Sequence, residues 1–282
     1  MVRNYSRTLL MKGILQASVN FVPYGFRRKI KHVPGLAALQ RLLVNRFLSE
    51  DSFIHTINAG PATGLRFDVT LPLDKAFWSG TYEHDFVAAL CDRVRPNNVC
   101  YDIGGYRGYV SGAMALSGAS KVIVFEPLPT NQGALQRLCY LNPDLPIEVV
   151  PAAIGNINGS TRLKQMADTS MAKLADSSFQ HELASLAELE VAIRRIDSLV
   201  EDRNIPPPDI VKIDVEGAEL EVLKGATNVF ETSRPLIFLE AHSAALEQDC
   251  SQKLMRLGYN VSRLDNDLVS TEQTRHLVCL PE

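Results

Sequence analysis

Apolar and polar positions alternate along most of this chain in two regular patterns. Runs that are apolar at nearly every position occur at 122–125, 210–213 and 236–239, as expected for strands whose two faces are both covered by helices. Between these runs, apolar residues recur every three or four positions, which predicts amphipathic helices. The predicted helices are 109–117, 130–141 and 219–231. Strands that alternate with helices predict a doubly wound, mostly parallel α/β sheet.

Two later segments interrupt or end this alternation. Residues 147–154 read as one further strand, and the polar stretch 156–195 that follows reads as an insert of β-strand or loop. Inserts of this kind commonly carry substrate specificity, because they follow the carboxyl ends of strands. At the end of the chain, 259–264 and 276–280 predict a terminal antiparallel hairpin at the edge of the sheet.

The beginning of the chain differs from the remainder in charge. Residues 1–49 contain nine basic side chains and no acidic one, which leaves 20 basic against 32 acidic residues in the rest. We predict a basic helical arm with a lead-in strand over 1–75, followed by one α/β domain over 76–282. The arm could contact a membrane surface or a protein, whereas the acidic body argues against a specific nucleic-acid partner.

The five cysteines form no C-x-x-C pair, which argues against a disulfide framework or a zinc site and favours a reducing compartment. No other group of residues shows a spacing diagnostic of metal ligands. The apolar stretch 9–22 is too short and too polar to span a bilayer. These features predict a cytoplasmic protein.

The strongest local signal is the pattern D-x-G-x-x-x-G at Asp102, Gly104 and Gly108, where the first core strand meets its helix. Glycines let the backbone turn tightly and approach a ligand. Their spacing is not the G-x-G-x-x-G pattern of dinucleotide sites. A carboxylate here would repel a pyrophosphate but suits the ammonium and sulfonium groups of S-adenosylmethionine, so Asp102 favours that cofactor.

A second acidic residue, Glu126, ends the next strand, 18 positions after Gly108. Acidic residues at about this offset accept hydrogen bonds from a ribose diol in Rossmann sites. Because both nicotinamide cofactors and S-adenosylmethionine contain this ribose, Glu126 does not distinguish between them.

Further candidates follow the strands at 210–213 and 236–239. Asp214 and Glu216 share one side of the chain by alternation, where they could hold the amino group of a cofactor, orient an acceptor hydroxyl or take its proton. A structural reading is that they complement the positive end of the next helix. Glu240 and His242 follow in the same way, and His242 is the favoured general base.

With these motifs in place, the sequence resembles the FkbM family of methyltransferases. The matching segments are 80–83, 102–109, 124–127, 151–155, 196–199, 212–219 and 239–242. The resemblance implies a Rossmann-like class I methyltransferase fold, S-adenosylmethionine as cofactor, and methylation of a hydroxyl on a sugar, polyketide or other secondary metabolite. The family often has asparagine where this chain has Tyr106 and aspartate where it has Asn156.

The resemblance also implies roles for individual residues. Asp102, Gly104, Gly108 and Glu126 would bind the cofactor, and Glu83 would support the site from the helix before the core. The residues expected nearest the reacting atoms are Asp214, Glu216 and His242, with Asp214 also expected to contact the cofactor.

Three other readings stay open from the sequence. The basic arm would suit a nucleic-acid-modifying methyltransferase, although an Asn/Asp-Pro-Pro-Tyr/Phe motif is absent from the chain. A non-catalytic cofactor-binding or scaffold protein would retain the binding residues without turnover. A nicotinamide oxidoreductase is opposed by the glycine spacing and by Asp102.

Overall fold

The computed structural model describes residues 52–71, 73–166, 172–174, 185–264 and 275–282. Residues 1–51 of the basic arm and lead-in strand predicted over 1–75 lie outside the described residues. The chain divides into two compact units, Met1–Ala89 and Leu90–Glu282. Within the described ranges, no helix has the length and apolar character needed to cross a membrane.

The first unit contains a small antiparallel sheet and short helices. Strand β1 (Phe53–Thr56) pairs with β2 (Arg66–Val69), which lies within the predicted lead-in strand. Helix α1 (Lys75–Trp78) follows, and α2 (His84–Cys91) begins in this unit. Phe77 packs its ring against those of Phe67 and Tyr82, with centroids 5.3 and 4.5 Å away. These aromatic contacts connect the sheet to the segment that precedes α2.

The second unit contains the remaining strands and helices. In chain order the strands are β3 (Val99–Ile103), β4 (Lys121–Phe125), β5 (Ile147–Val150), β6 (Ala153–Ile154), β7 (Gly159–Met166), β8 (Ala172–Leu174), β9 (Ser185–Arg194), β10 (Ile210–Ile213), β11 (Leu236–Ala241), β12 (Tyr259–Arg263) and β13 (Arg275–Pro281). The helices are α3 (Tyr109–Leu116), α4 (Pro129–Leu141), α5 (Ile196–Glu201), α6 (Glu219–Gly225), α7 (Thr227–Ser233) and α8 (Ala244–Arg256).

Seven of these strands form one sheet in the order β12-β13-β11-β10-β3-β4-β5. The neighbours from β11 to β5 are parallel, whereas β13 runs antiparallel to both β11 and β12. The predicted fold class is therefore confirmed: a mostly parallel Rossmann-like sheet that ends in an antiparallel hairpin. Because β3 and β10 are neighbours, the carboxyl ends of strands far apart in sequence meet at one edge.

The insert is a second sheet of four strands, in the order β6-β9-β7-β8. Its main ladder is antiparallel and pairs β7 with β9, so these parts of the predicted insert are strand, whereas 167–171 and 175–184 lie outside the described residues. The single strand expected over 147–154 is divided into β5 and β6, which belong to different sheets. Pro151 stands at the division, and proline has no N–H to continue a ladder.

The single helix expected over 219–231 is also divided, into α6 and α7. Gly225 ends α6 where it passes the backbone of Gly155, and a Cβ on Gly225 would lie 1.8 Å from the Gly155 carbonyl oxygen. Such an approach excludes any side chain at this position. The helix is therefore interrupted at the point where it contacts the segment leading into the insert.

The main core of the second unit lies between the large sheet and the helices α6, α7 and α8. It includes Tyr101, Phe125, Phe230 and Leu239, each at most 1% exposed. A core of this kind fixes the strand ends rigidly, because side chains that are close-packed do not shift independently. The polar residues at the carboxyl ends of the strands are held by this frame.

Candidate active site

The turn after β3 packs too closely to its neighbours to accept side chains. Gly104 and Gly108 have φ angles of 85° and 86°, in the left-handed region that favours glycine. A Cβ on Gly104 would lie 1.8 Å from the Asp214 carbonyl oxygen, and one on Gly105 would lie 2.0 Å from Val124 Cγ1. The glycines thus let the end of β3 contact the segment that follows β10.

Tyr106, at the middle of this turn, also has a left-handed φ angle of 48°. Asparagine adopts this conformation more readily than tyrosine, which gives a physical reason for the asparagine expected here from the family resemblance. The Tyr106 N–H donates to Glu126 Oε2 at 2.9 Å. The turn is therefore fastened to the end of the neighbouring strand.

Glu126 is 4% exposed and accepts hydrogen bonds from backbone on both oxygens. Its Oε1 accepts from the Leu128 N–H at 2.8 Å. Burial raises the pKa of Glu126 to about 7, against the opposing effects of hydrogen bonds from Leu128, Asn131 and Tyr106 and of the Lys212 charge. These three hydrogen bonds leave about one of the four lone-pair sites of the carboxylate, so Glu126 can still accept from one ligand hydroxyl.

Lys212 is a charged residue in the middle of a buried strand. It is the cross-strand partner of Asp102, and its Nζ lies 3.1 Å from Asp102 Oδ1 and 3.4 Å from Asp214 Oδ2. The ammonium also donates to the Gly104 carbonyl oxygen at 2.8 Å. Three oxygens thus surround an ammonium that is 2% exposed, and burial of this charge is compensated.

Asp102 itself is fully buried. Its Oδ2 accepts a hydrogen bond of 2.5 Å from Ser111 Oγ on α3, and its Oδ1 faces Lys212. Both oxygens therefore contact protein groups, and the adjacent lysine balances the negative charge that the sequence offered to a sulfonium. In this arrangement Asp102 acts on the site by holding Lys212 and the first turn of α3.

A second group of side chains surrounds His242, directly after β11. The Nδ1–H of His242 donates to Oε1 of Glu219 at 2.8 Å, and Glu219 is fully buried at the start of α6. Nε2 lies 3.4 Å from Glu216 Oε2, 3.6 Å from Asp214 Oδ1 and 3.8 Å from Glu240 Oε1. Asp214, Glu216 and His242, which the sequence grouped as the residues nearest the chemistry, thus lie together.

The charge on His242 follows from these neighbours. Burial lowers its pKa, but the hydrogen bond to Glu219 and the charges of Asp214, Glu219 and Glu216 outweigh that effect and raise the pKa to about 9. The imidazole is therefore charged at neutral pH. A charged imidazole donates hydrogen bonds and cannot accept a proton.

Sequence reasoning missed Lys212, Ser111 and Glu219 as members of these groups. Lys212 carried a signal, since a lysine inside a run of apolar strand residues needs a buried partner. Glu219 carried a weaker one, because an acidic residue at a helix start has an ordinary structural explanation. Glu83 lies in the first unit with a φ angle of 39°, and its supporting role stays a prediction.

Comparison with known proteins identifies the family. The model of the methyltransferase FkbM domain matches residues 102–271, which is more than half of the chain. The chain belongs to the FkbM methyltransferase family. One relative is the hexuronic acid methyltransferase AglP of Haloferax volcanii, which is 27% identical over 196 residues covering 66% of this chain and 74% of the relative.

Two solved structures show more distant similarity. The FkbM methyltransferase of Methylobacillus flagellatus has a TM-score of 0.49 and 15% identity over 87% of this chain, which spans only 60% of that protein. The precorrin-6y C5,15-methyltransferase of Geobacter metallireducens has a TM-score of 0.47 and 14% identity, covering 71% of this chain and 89% of that protein.

Proposed function

We propose that this chain transfers a methyl group from S-adenosylmethionine to a hydroxyl of a small molecule, with sugars and sugar acids as the first acceptors to test. The observation that carries the proposal is the link between the two groups of side chains. Asp214 contacts Lys212, in the glycine-turn group, and faces His242 in the second group. Membership of the FkbM family supports methyl transfer, and the AglP relative is named for a hexuronic acid.

The first group is the proposed cofactor site. The turn from Gly104 to Gly108 lets the ligand approach the backbone closely, because glycine has no Cβ in the way, and Glu126 accepts from a ribose hydroxyl through its remaining lone pair. Asp214, through Oδ2, is the proposed partner of the amino group. Asp102 contributes by fixing Lys212 and the turn, and Glu83 remains a proposed supporting residue.

The second group is the proposed reaction site. Methyl transfer is a direct displacement at a carbon that sulfonium already activates, so the protein mainly aligns donor and acceptor. The acceptor hydroxyl loses its proton as its oxygen attacks. We assign that proton to Glu216, whose side chain is 27% exposed, in place of His242, which is 11% exposed. The raised pKa of His242 supports this choice, because the charged imidazole would stabilise the developing oxyanion.

The proposal is tested first by calorimetric titration with S-adenosylhomocysteine, with NADH as the competing cofactor. We expect binding of the homocysteine product and none of NADH, and the reverse result would contradict the methyl-donor site. Methyl transfer from labelled S-adenosylmethionine is then screened against hexuronic acids and neutral sugars. Labelled product from any of these acceptors would establish the acceptor class.

The role of Glu216 is tested with Glu216→Gln, and Glu221→Gln serves as the matched control. Glu221 is a partly exposed acid on α6 that pairs with Lys224. We expect Glu216→Gln to lower kcat by about 10²-fold or more, which is typical of removing a general base, while binding of S-adenosylhomocysteine is retained. Unchanged kcat in Glu216→Gln would remove Glu216 as the proton acceptor.

A further inference from the structure

Three carboxylates converge on one nitrogen of the His242 ring. Asp214, Glu216 and Glu240 all face Nε2 at 3.4–3.8 Å. Lys212 lies 3.4 Å from the other oxygen of Asp214, and His276 lies 3.5 Å from the other oxygen of Glu240. Carboxylates that converge in a largely buried position are suited to binding a cation.

Glu240 gives an independent indication that a ligand belongs here. It is 8% exposed, yet within the described part of the chain no hydrogen bond reaches its carboxylate. Its Oε1 is directed to His242 Nε2 at 3.8 Å, and its Oε2 lies 3.5 Å from Nε2 of His276, its cross-strand partner. A carboxylate that is buried to this extent normally has hydrogen bonds or a metal ion.

Glu219 prepares His242 in the way that metal sites usually do. A histidine that binds a metal through one ring nitrogen commonly donates the other N–H to a carboxylate. Here Nδ1 donates to the fully buried Glu219, which is itself held by the Gly217 N–H at 2.9 Å. The remaining ring nitrogen, Nε2, is therefore directed into the group of carboxylates.

We propose that Asp214, Glu240 and His242 bind a divalent cation through Oδ1, Oε1 and Nε2. These ligand atoms lie within 4.8 Å of one another. Neighbouring ligand atoms at about 2.1 Å from an octahedral ion are roughly 3 Å apart. Binding therefore requires the three ligand atoms to approach one another by at most about 2 Å. Two carboxylates and one imidazole suit Mn²⁺, and Mg²⁺ less strongly because it prefers oxygen ligands.

Three protein ligands leave coordination positions on the ion for an acceptor. That the acceptor binds there rests on the proposed function. A hexuronic acid presents hydroxyl and carboxylate oxygens that can chelate such an ion. The ion would lower the pKa of the bound hydroxyl and place it beside Glu216. The metal would thus provide a positive charge next to the acceptor oxygen. When no metal is bound, the protonated imidazole of His242 would provide that charge.

Metal binding is tested without any methyl-transfer assay. The purified, EDTA-treated full chain is titrated with MnCl₂ by calorimetry, and the bound ion is examined by electron spin-echo spectroscopy for coupling to an imidazole nitrogen. We expect one Mn²⁺ per chain with nitrogen coupling, and weaker binding of Mg²⁺. Absence of stoichiometric binding, or of the nitrogen coupling, would overturn the proposal.

Variants locate the ion. Glu240→Gln and Asp214→Asn are expected to weaken Mn²⁺ binding by at least about tenfold, and Glu219→Gln by about 10- to 100-fold, as for other residues that orient a metal ligand. Glu221→Gln is the control and should bind as the natural chain does. Circular dichroism verifies folding. If one of the three variants fails to fold, the other two still test the site. Equal affinity in all folded variants would exclude this group.

S-Adenosylhomocysteine separates the metal site from the cofactor site. We expect Mn²⁺ to bind equally well with S-adenosylhomocysteine present. Competition between the two would mean that the carboxylates around His242 bind the cofactor, and it would overturn the metal proposal. If Mn²⁺ binds but does not increase turnover on hexuronic acids, the chelation step is wrong while the site remains. If S-adenosylhomocysteine does not bind, the proposed function fails independently.

Discussion

At the scale of single residues, the site depends on one buried lysine. Lys212 balances Asp102 and contacts Asp214 and the Gly104 carbonyl oxygen. Lys212→Met would leave the carboxylate of Asp102 buried without a cation, which typically lowers the free energy of unfolding by about 3–5 kcal/mol. Urea unfolding measures this loss. Lys224→Met, at an exposed ion pair on α6, should change it by less than about 1 kcal/mol.

The double variant Lys212→Met with Asp102→Asn separates the charge effect from the loss of packing. If the unpaired carboxylate causes the loss, removing its charge should restore part of the stability. A double variant that is as unstable as the sum of the two single ones would show that the pair is not coupled. The sequence predicts Asp102 near the cofactor, and that role stays a prediction. It carries no sign that a lysine 110 positions later is the cross-strand neighbour of Asp102.

Glu126 gives a pH dependence at the same scale. Its pKa of about 7 in the folded protein exceeds the ordinary value of 4.5, so the native state binds the extra proton between these values. Its contribution to stability is therefore fully present below about pH 4.5 and is lost as pH rises to 7. The affinity for the cofactor should instead rise with pH, because only the ionised carboxylate has a lone pair left for a ribose hydroxyl.

We accordingly expect the affinity for S-adenosylhomocysteine to fall by up to about tenfold between pH 8 and pH 6, following the protonated fraction of Glu126. Calorimetry across this range measures the change, and Glu126→Gln should bind weakly at every pH. Glu148→Gln, at a half-exposed acid paired with Lys121, should retain the natural pH dependence. A natural chain whose affinity is constant over this range would contradict the assignment of Glu126.

At the scale of secondary-structure elements, the apolar runs predicted the central strands because these strands are buried on both faces. The pattern failed where contacts between distant segments decide the boundary. Residues 147–154 keep a strand pattern through Pro151, yet β5 and β6 pair with different sheets. Residues 219–231 keep a helical period, yet the approach of Gly225 to Gly155 divides α6 from α7. Contacts between distant segments leave no mark in the local pattern of apolar and polar residues, so the sequence did not predict these boundaries.

A comparison of two helical glycines, Gly225 and Gly133, tests this distinction. In Gly225→Ala the new Cβ would lie 1.8 Å from the Gly155 carbonyl oxygen, whereas a Cβ on Gly133 in α4 meets no atom within 4 Å. We expect Gly225→Ala to lower the melting temperature and the free energy of unfolding by about 1–3 kcal/mol. Gly133→Ala should raise that free energy by roughly 0.5–1 kcal/mol. Equal effects of the two substitutions would show that the contact at Gly225 does not constrain the helix.

At the scale of the whole molecule, strand order decides which residues can form a site. Four strands that are consecutive in the sheet, β4, β3, β10 and β11, carry the site residues at their carboxyl ends. Glu126, Asp214 and His242 follow their strands directly, and Asp102 is the last residue but one of β3. The doubly wound fold was predictable from the alternating pattern, and with it the expectation that these ends meet. The ion pairs that connect them were not, because cross-strand register is set by the folded sheet. The second sheet was predictable only in part: the sequence indicated an insert of β-strand or loop at 156–195, but not the pairing of its strands.

Ligand-linked stability tests the site as a property of the folded molecule. A ligand that binds only the native state raises the free energy of unfolding by about 2.7 kcal/mol at a concentration 100 times its Kd. We expect S-adenosylhomocysteine to raise the melting temperature in proportion to the logarithm of its concentration, and Glu126→Gln to require a higher concentration for the same shift. NADH should produce no shift, because Asp102, Gly104 and Gly108 do not form a dinucleotide turn. A shift with NADH alone would favour an oxidoreductase, and equal shifts in the natural chain and Glu126→Gln would place the ligand elsewhere.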